Sequence, residues 1–281
     1  MPLRENIPSR RKALTGLRSL VFTALATSQM FAQTEVDTEL VLLVNVSNGV
    51  TTTRFNDIMT AFGDAMTSST ILDAIQSGRT GSIAASVMFW SSANRQAVGV
   101  PWMQISDLTS ATNFAAQLAA AARPFTGGSA LAPALSAATN HFGTETGGPE
   151  NGFLSSSQII SLTTNGNNPP AQPGPSTIQA ARDAALASGV DLIDVRLQAA
   201  ARQNQARLDY YNTNVIGSTI DGVEATTVVS NSRAAFRASL SGSLLTQINA
   251  GAQASLTVVP EPSIPLLTGL AALAFGLRRR R

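Results

Sequence analysis

The sequence predicts an α/β protein built on an open, mainly parallel, doubly wound sheet, with helices on both faces and one antiparallel edge strand. Three observations carry that reading. Continuous apolar runs of six to eight residues at 40–46, 158–163 and 190–197 have the length of strands covered on both faces. Between them lie segments whose apolar residues recur three to four apart, as crossover helices require. Two β-rich runs, 82–91 and 96–105, are joined only by Ser92-Ala93-Asn94-Arg95, which makes them a hairpin and puts an antiparallel strand at an edge.

The first strand, Leu40-Val41-Leu42-Leu43-Val44-Asn45-Val46, stops at Ser47-Asn48-Gly49. Phe55, Ile58, Met59, Phe62 and Met66, followed by Ile71, Leu72 and Ile75, then predict one continuous helix ending near Gly78. Alanine-rich helices are expected over 110–122 and 129–141 after the hairpin. The strand at 158–163 breaks into Thr164-Asn165-Gly166-Asn167-Asn168-Pro169-Pro170. A helix over 177–188, the strand at 190–197, a short helix over 208–215, a last strand at 225–229 and a closing helix over 232–248 complete the order. Segments 144–157 and 165–176, rich in Gly, Pro, Asn, Ser and Thr, read as surface loops, and 251–258 as a stalk. With no internal repeat or long linker, residues 37–250 make one domain. Ligands of such sheets bind beyond the C-terminal strand ends, which singles out 45–49 and 163–168.

Both ends of the chain read as sorting signals. Arg4, Arg10, Arg11, Lys12 and Arg18 precede and flank an apolar stretch at 20–26 that fades to Phe31-Ala32, so residues 1–32 are a secretory signal, cut after Ser28 or Ala32. Ser9-Arg10-Arg11-Lys12-Ala13-Leu14 resembles a twin-arginine motif, but Ala13 stands where an aromatic is usual, which favours the general secretion route. At the other end Pro260-Glu261-Pro262 precedes an apolar run at 264–277 and four arginines, 278–281. That run is a short transmembrane segment: as a helix it reaches about 21 Å, against a hydrocarbon core of about 30 Å, and the arginines hold its end in the cytoplasm. The pattern over 259–281 resembles the PEP-CTERM sorting signal of Gram-negative bacteria. The resemblance implies a transient membrane anchor, cleavage near Pro260-Glu261-Pro262 by an exosortase, and delivery to the cell surface or matrix; an ordinary short tail anchor is the alternative.

These ends distort the apparent charge. Nine of the 19 basic residues lie in them but only Glu5 and Glu261 of the 17 acidic ones, so the body is about five charges negative. The sequence pI near 9.6 therefore gives no support for nucleic-acid binding. The chain has no cysteine, which excludes disulfides, thiol catalysis and thiolate metal sites.

Several ordered stretches, 40–50, 81–102, Phe125-Thr126-Gly127-Gly128-Ser129, 180–185 and Tyr210-Tyr211-Asn212-Thr213-Asn214, resemble an uncharacterised bacterial family of von Willebrand factor A-like domains, a Rossmann-like fold. Such domains carry a metal-ion-dependent adhesion site: an Asp-x-Ser-x-Ser motif after the first strand, a Thr from a later loop and an Asp after a later strand hold Mg²⁺, which binds a partner's carboxylate. By that resemblance the motif here reads Asn45-Val46-Ser47-Asn48-Gly49, the threonine position is Ser129 and the later aspartate position is Asn165. Two Asp-to-Asn replacements take the site from about −2 to neutral, and hard divalent cations rely on anionic oxygens to offset dehydration. The expectation is a degenerate site without a cofactor, holding Mg²⁺ weakly at most, with Glu145 or Glu150 as the loop acids able to restore charge.

Other chemistry has little to stand on. His141 is the single histidine, so a serine hydrolase would have to use it, yet no Gly-x-Ser-x-Gly elbow is present. Gly127-Gly128-Ser129 lacks the lysine of a phosphate-binding loop. Trp90 and Trp102 fall on the hairpin as packing residues, and Asp191 and Asp194 point to opposite faces of a strand. The sequence reads as a non-enzymatic, exported recognition or adhesion-type domain. Its partners are the secretion machinery, an exosortase and an unknown surface protein or polysaccharide. A purely structural matrix protein is the second reading, and a hydrolase using His141 the remote third.

Overall fold

The computed structural model describes residues 33–165, 174–198, 204–230 and 232–257. The apolar runs become β2 (Thr38–Asn45), β3 (Ile83–Trp90), β6 (Gln158–Thr164) and β7 (Leu192–Gln198), and β4 (Gln96–Ile105) returns antiparallel to β3. These strands lie in the order β4-β3-β2-β6-β7. On the far edge β8 (Gly217–Ser218) pairs antiparallel with the start of β7, and β9 (Thr227–Ser230) pairs parallel with its end. The mainly parallel sheet with an antiparallel edge strand is the architecture the sequence predicts.

Period-two alternation distributes β2 between two cores. Leu40, Leu42 and Val44 face one layer, packed by α1 (Thr52–Met66), α2 (Ser69–Gln76), α3 (Leu108–Ala120) and α7 (Arg233–Thr257). Val41 and Leu43 face the other, packed by α4 (Leu131–His141), α5 (Pro175–Ala187) and α6 (Asn204–Asn214). Helices on both faces follow from crossovers between parallel strands, and they leave all parallel strand ends at one crest and all strand starts at one foot.

Four features depart from the sequence reading. The continuous helix expected to Gly78 is two helices, because Thr67 and Ser68 turn their hydroxyls onto the carbonyls of Gly63 and Ala65 (2.9 and 2.7 Å), and Ser68 caps α2. The expected loop at 144–157 contains a 3₁₀ turn (Gly143–Thr146) and β5 (Phe153–Ser155), which pairs with β1 (Thr34–Val36) just ahead of the predicted domain start. These pieces are too short for periodicity to reveal. β8 escaped notice for the same reason.

The fourth is the segment read as a stalk, which is the end of α7. Gly251, Ala252 and Ser255 are buried, and the Ser255 hydroxyl accepts the Arg79 backbone N–H at 3.2 Å. A methyl group at Gly251 would run into the Thr38 side chain on β2. Gly251→Ala is expected to lower stability by about 1–3 kcal/mol, an overpacking cost visible as a reduced Tm; an unchanged Tm would return this segment to the role of a spacer. The secretory signal 1–32, the transmembrane segment 264–277 and the motif Pro260, Glu261, Pro262 lie outside the described residues. No helix among the described residues is long and apolar enough to cross a membrane.

Candidate functional site

The crest is organised around Asn45, the last residue of β2, whose side chain is completely buried. Its amide oxygen accepts the Ser47 backbone N–H at 2.7 Å. Because a backbone N–H can only donate, this contact fixes the amide orientation and turns the NH₂ group the other way. That group donates to Ser129 Oγ at 3.2 Å and Thr164 Oγ1 at 3.0 Å. One amide thus ties together the ends of β2 and β6 and the loop before α4.

The loops above it are also stapled. Asn48 and Gly127 exchange hydrogen bonds, backbone N–H to carbonyl at 2.9 Å and the reverse N–H to the Asn48 side chain at 3.1 Å. Gly127 sits at φ +143°, with Ser92 too close for a Cβ, so glycine is required there. Arg123 inserts its guanidinium against the β2–α1 turn, with Nε and Nη2 donating to the Val46 carbonyl (3.1 and 2.7 Å) and Nη2 to that of Ser47 (2.6 Å). Arg95, exposed on the hairpin turn, donates to the Thr126 carbonyl at 2.9 Å.

Of the five residues expected to line the site, the structure joins Asn45, Ser129 and the backbone of Ser47. Gly49 lies in an exposed turn ahead of α1. Asn165 is buried one residue beyond β6, and Thr164 rather than Asn165 bonds to Asn45, because β6 runs one residue further than its apolar pattern. Thr164 and Arg123 were missed as site residues. The only trace of Arg123 in the sequence is a lone cation after Ala120-Ala121-Ala122, where a helix ends.

As a cation cup this donor set is poor. The amide oxygen is taken by a backbone N–H, amide hydrogens cover the two hydroxyl oxygens, and a guanidinium already lies on the adjoining turn. Among the described residues no three His, Asp or Glu side chains gather to hold a metal. Glu145 and Glu150, the acids able to restore charge in the sequence reading, are at the foot: Glu145 lies beside the buried Glu39 at the start of β2 and accepts the Ser155 N–H at 3.2 Å.

His141 does approach a serine, with Nε2 2.8 Å from Ser86 Oγ. Ser86 is fully buried inside the sheet, and its hydroxyl also lies 2.8 Å from the Val100 carbonyl, so the pair is enclosed away from any open surface. Burial pushes the His141 pKa down, and its ring stacks on Trp102 at 5.0 Å. Trp90 is fully buried, and the half-buried Trp102 packs against His141 and Phe142, so both tryptophans are packing residues.

A mainly parallel doubly wound sheet, flanked by helices on both faces and gathering hydroxyl and amide groups at the ends of β2 and β6, is the fold that the resemblance to von Willebrand factor A-like domains implies. The chain belongs to the family described as "Protein of unknown function (DUF1194)", whose model matches residues 35–251. Comparison with curated proteins gives no match. Among solved structures, the D319A mutant of the PilB minor pilin from Streptococcus sanguinis is similar with a TM-score of 0.53 at 10% identity, covering 82% of this chain and 65% of that one. Proximal thread matrix protein 1 from the mussel byssus, with a zinc-occupied MIDAS motif, gives 0.51 at 14% identity, covering 78% and 49%. A von Willebrand factor type A structure from Catenulispora acidiphila gives 0.48 at 11%, covering 75% and 42%. This chain therefore spans less than two thirds of each of them, and identities this low show the fold alone.

Proposed function

We propose that this protein is an exported, non-enzymatic recognition domain, which works at the cell surface or in the extracellular matrix of a Gram-negative bacterium and binds a surface protein or polysaccharide without a divalent cation. The observation that carries the reading is the Asn45 amide, which bridges Ser129 and Thr164 where the pattern of a metal-ion-dependent adhesion site calls for a carboxylate and a metal. Asn45, Ser47, Ser129 and Thr164 form a buried polar cluster beneath the crest with no charge of its own, and Arg123 on the adjoining turn supplies the positive charge that an ion would otherwise bring. The basic and apolar ends of the sequence support export followed by exosortase processing near Pro260-Glu261-Pro262. The names of two fold neighbours, a minor pilin and a byssal thread matrix protein, are those of surface and matrix proteins; the zinc belongs to the mussel protein.

Calorimetric titration of the purified protein with Mg²⁺, Mn²⁺ and Zn²⁺ tests the cation half. The expected result is no saturable heat, and stoichiometric uptake abolished by Ser47→Ala would overturn it. Export and sorting are tested by following the tagged protein in cells with and without the processing protease; a tail that stays intact in both would remove the exosortase.

A further inference from the structure

We infer that the crest of one copy docks on the foot of the next, so that the protein assembles head to tail with copies of itself. The first ground is the charge of the two ends. Crest connections 46–51, 91–95 and 121–130 contain Arg95 and Arg123 and no carboxylate, and Arg54 stands in the first turn of α1. Neither Arg95 nor Arg123 is in an ion pair among the described residues. Helices α1, α4, α5, α6 and α7 all begin at the crest, which adds the positive ends of their dipoles. At the foot, Asp73, Asp107 and Glu150 are exposed, and none of them is in an ion pair among the described residues. Of the foot's cations among the described residues, Arg79 is already paired with Glu35 at 3.1 Å, and Arg182, which reaches the end of α6, with Asp183 at 2.7 Å.

The second ground is apolar and independent of charge. Leu108, Leu154 and Leu256 are 57%, 42% and 56% exposed, and all three lie at the foot, at the start of α3, in β5 and at the end of α7. Beside Arg95 at the crest is a pocket of about 640 Å³, walled by small residues that include Ala93, Gly128, Ala130, Pro133 and Ala181. Its lining is uncharged, so it suits an apolar side chain such as leucine. A surface patch that fits a pocket elsewhere on the same molecule makes a heterologous contact, and such contacts propagate as open arrays. A foreign acidic polymer would account for the crest arginines but not for the leucines at the foot. A second copy accounts for both.

Sedimentation velocity of the purified protein over a range of concentrations, at low and high salt, tests the inference. The expected result is a mass that grows with concentration at low salt and falls toward the monomer as salt screens the contact. Arg95→Glu at the crest, or Asp73→Lys with Glu150→Lys at the foot, should each weaken association at least about tenfold, because each juxtaposes like charges. These side chains are exposed, so folding is checked simply by an unchanged melting curve. Mixing the two charge-reversed proteins should restore association, since opposite charges meet again. A monomer at every concentration overturns the inference, as does association that ignores both reversals. Binding of polyglutamate or alginate at the crest without self-association also overturns it and assigns the crest to an acidic polymer.

Discussion

Replacing Glu39 with glutamine is expected to make the protein more stable than wild type at pH 9, by several kcal/mol, and to leave little difference at pH 5. Glu39 sits at the start of β2 with no solvent exposure, where the Asn151 amide and the Ser155 hydroxyl (3.0 Å) donate to it. Burial first, and the neighbouring Glu145 carboxylate second, push its pKa from 4.5 up to about 8. The folded protein therefore keeps a proton that the unfolded chain releases near pH 4.5. This contribution to stability is whole below about pH 4.5 and is lost as the pH rises through about 8, where the folded state must hold a buried negative charge. Glutamine stays neutral throughout, and its NH₂ group supplies the donor that a protonated Glu39 offers to Glu145. Denaturant unfolding at several pH values measures the difference. Parallel stability profiles for the two proteins would show that Glu39 is ionised in the native state and that its environment is more polar than the packing indicates.

Asn45→Asp is expected to lower stability by about 2 kcal/mol in the presence of chelator and to be partly rescued by millimolar Mn²⁺, while the wild type ignores the ion. The substitution removes two N–H donors and buries a carboxylate at a position with no exposed surface. Ser129 and Thr164 then turn from acceptors into donors, and the cluster acquires the anionic oxygen that a hard cation needs. Thermal melts with chelator and with Mn²⁺ read both effects. A wild type that Mn²⁺ stabilises as much as the variant would mean that the amide does not stand in place of an ion.

The two outcomes separate the ends of the molecule. The Glu39 prediction concerns the foot and leaves the crest untouched, whereas the Asn45 prediction concerns recognition. In both cases one polar atom in the sheet decides the behaviour, because a buried group cannot fall back on water when its partner changes.

Much of the fold was legible because it rests on local patterns. Leu40 to Val44 reads as a buried strand whatever follows it, and the hairpin of β3 and β4 follows from two β-rich runs with four residues between them. The site was legible in part. Asn45 and Ser129 emerged from motif position, yet Thr164 was passed over for its neighbour because a strand end shifts by one residue with no change in composition. Arg123 was invisible as a site residue: a lone arginine after four alanines gives no sign of which carbonyls it will meet 76 and 77 residues away. Glu145 was misplaced for a related reason, since a loop acid can be sent to either end of a parallel sheet by the crossover that carries it.

By itself the sequence determined the order and type of the main elements, the neutral character of the motif after β2, and the lack of thiol chemistry. These are properties of residues and of their periods of two and 3.6, which need no knowledge of what lies across the core. Tertiary structure alone decided that an amide bridges two hydroxyls at the crest, that an acid is shut in against a second acid at the foot, and that Arg95 and Arg123 come together at one end while Asp73, Asp107 and Glu150 come together at the other. Those outcomes depend on which distant groups are brought within hydrogen-bonding reach, and such distances are set by packing the helices on the sheet, not by neighbours along the chain.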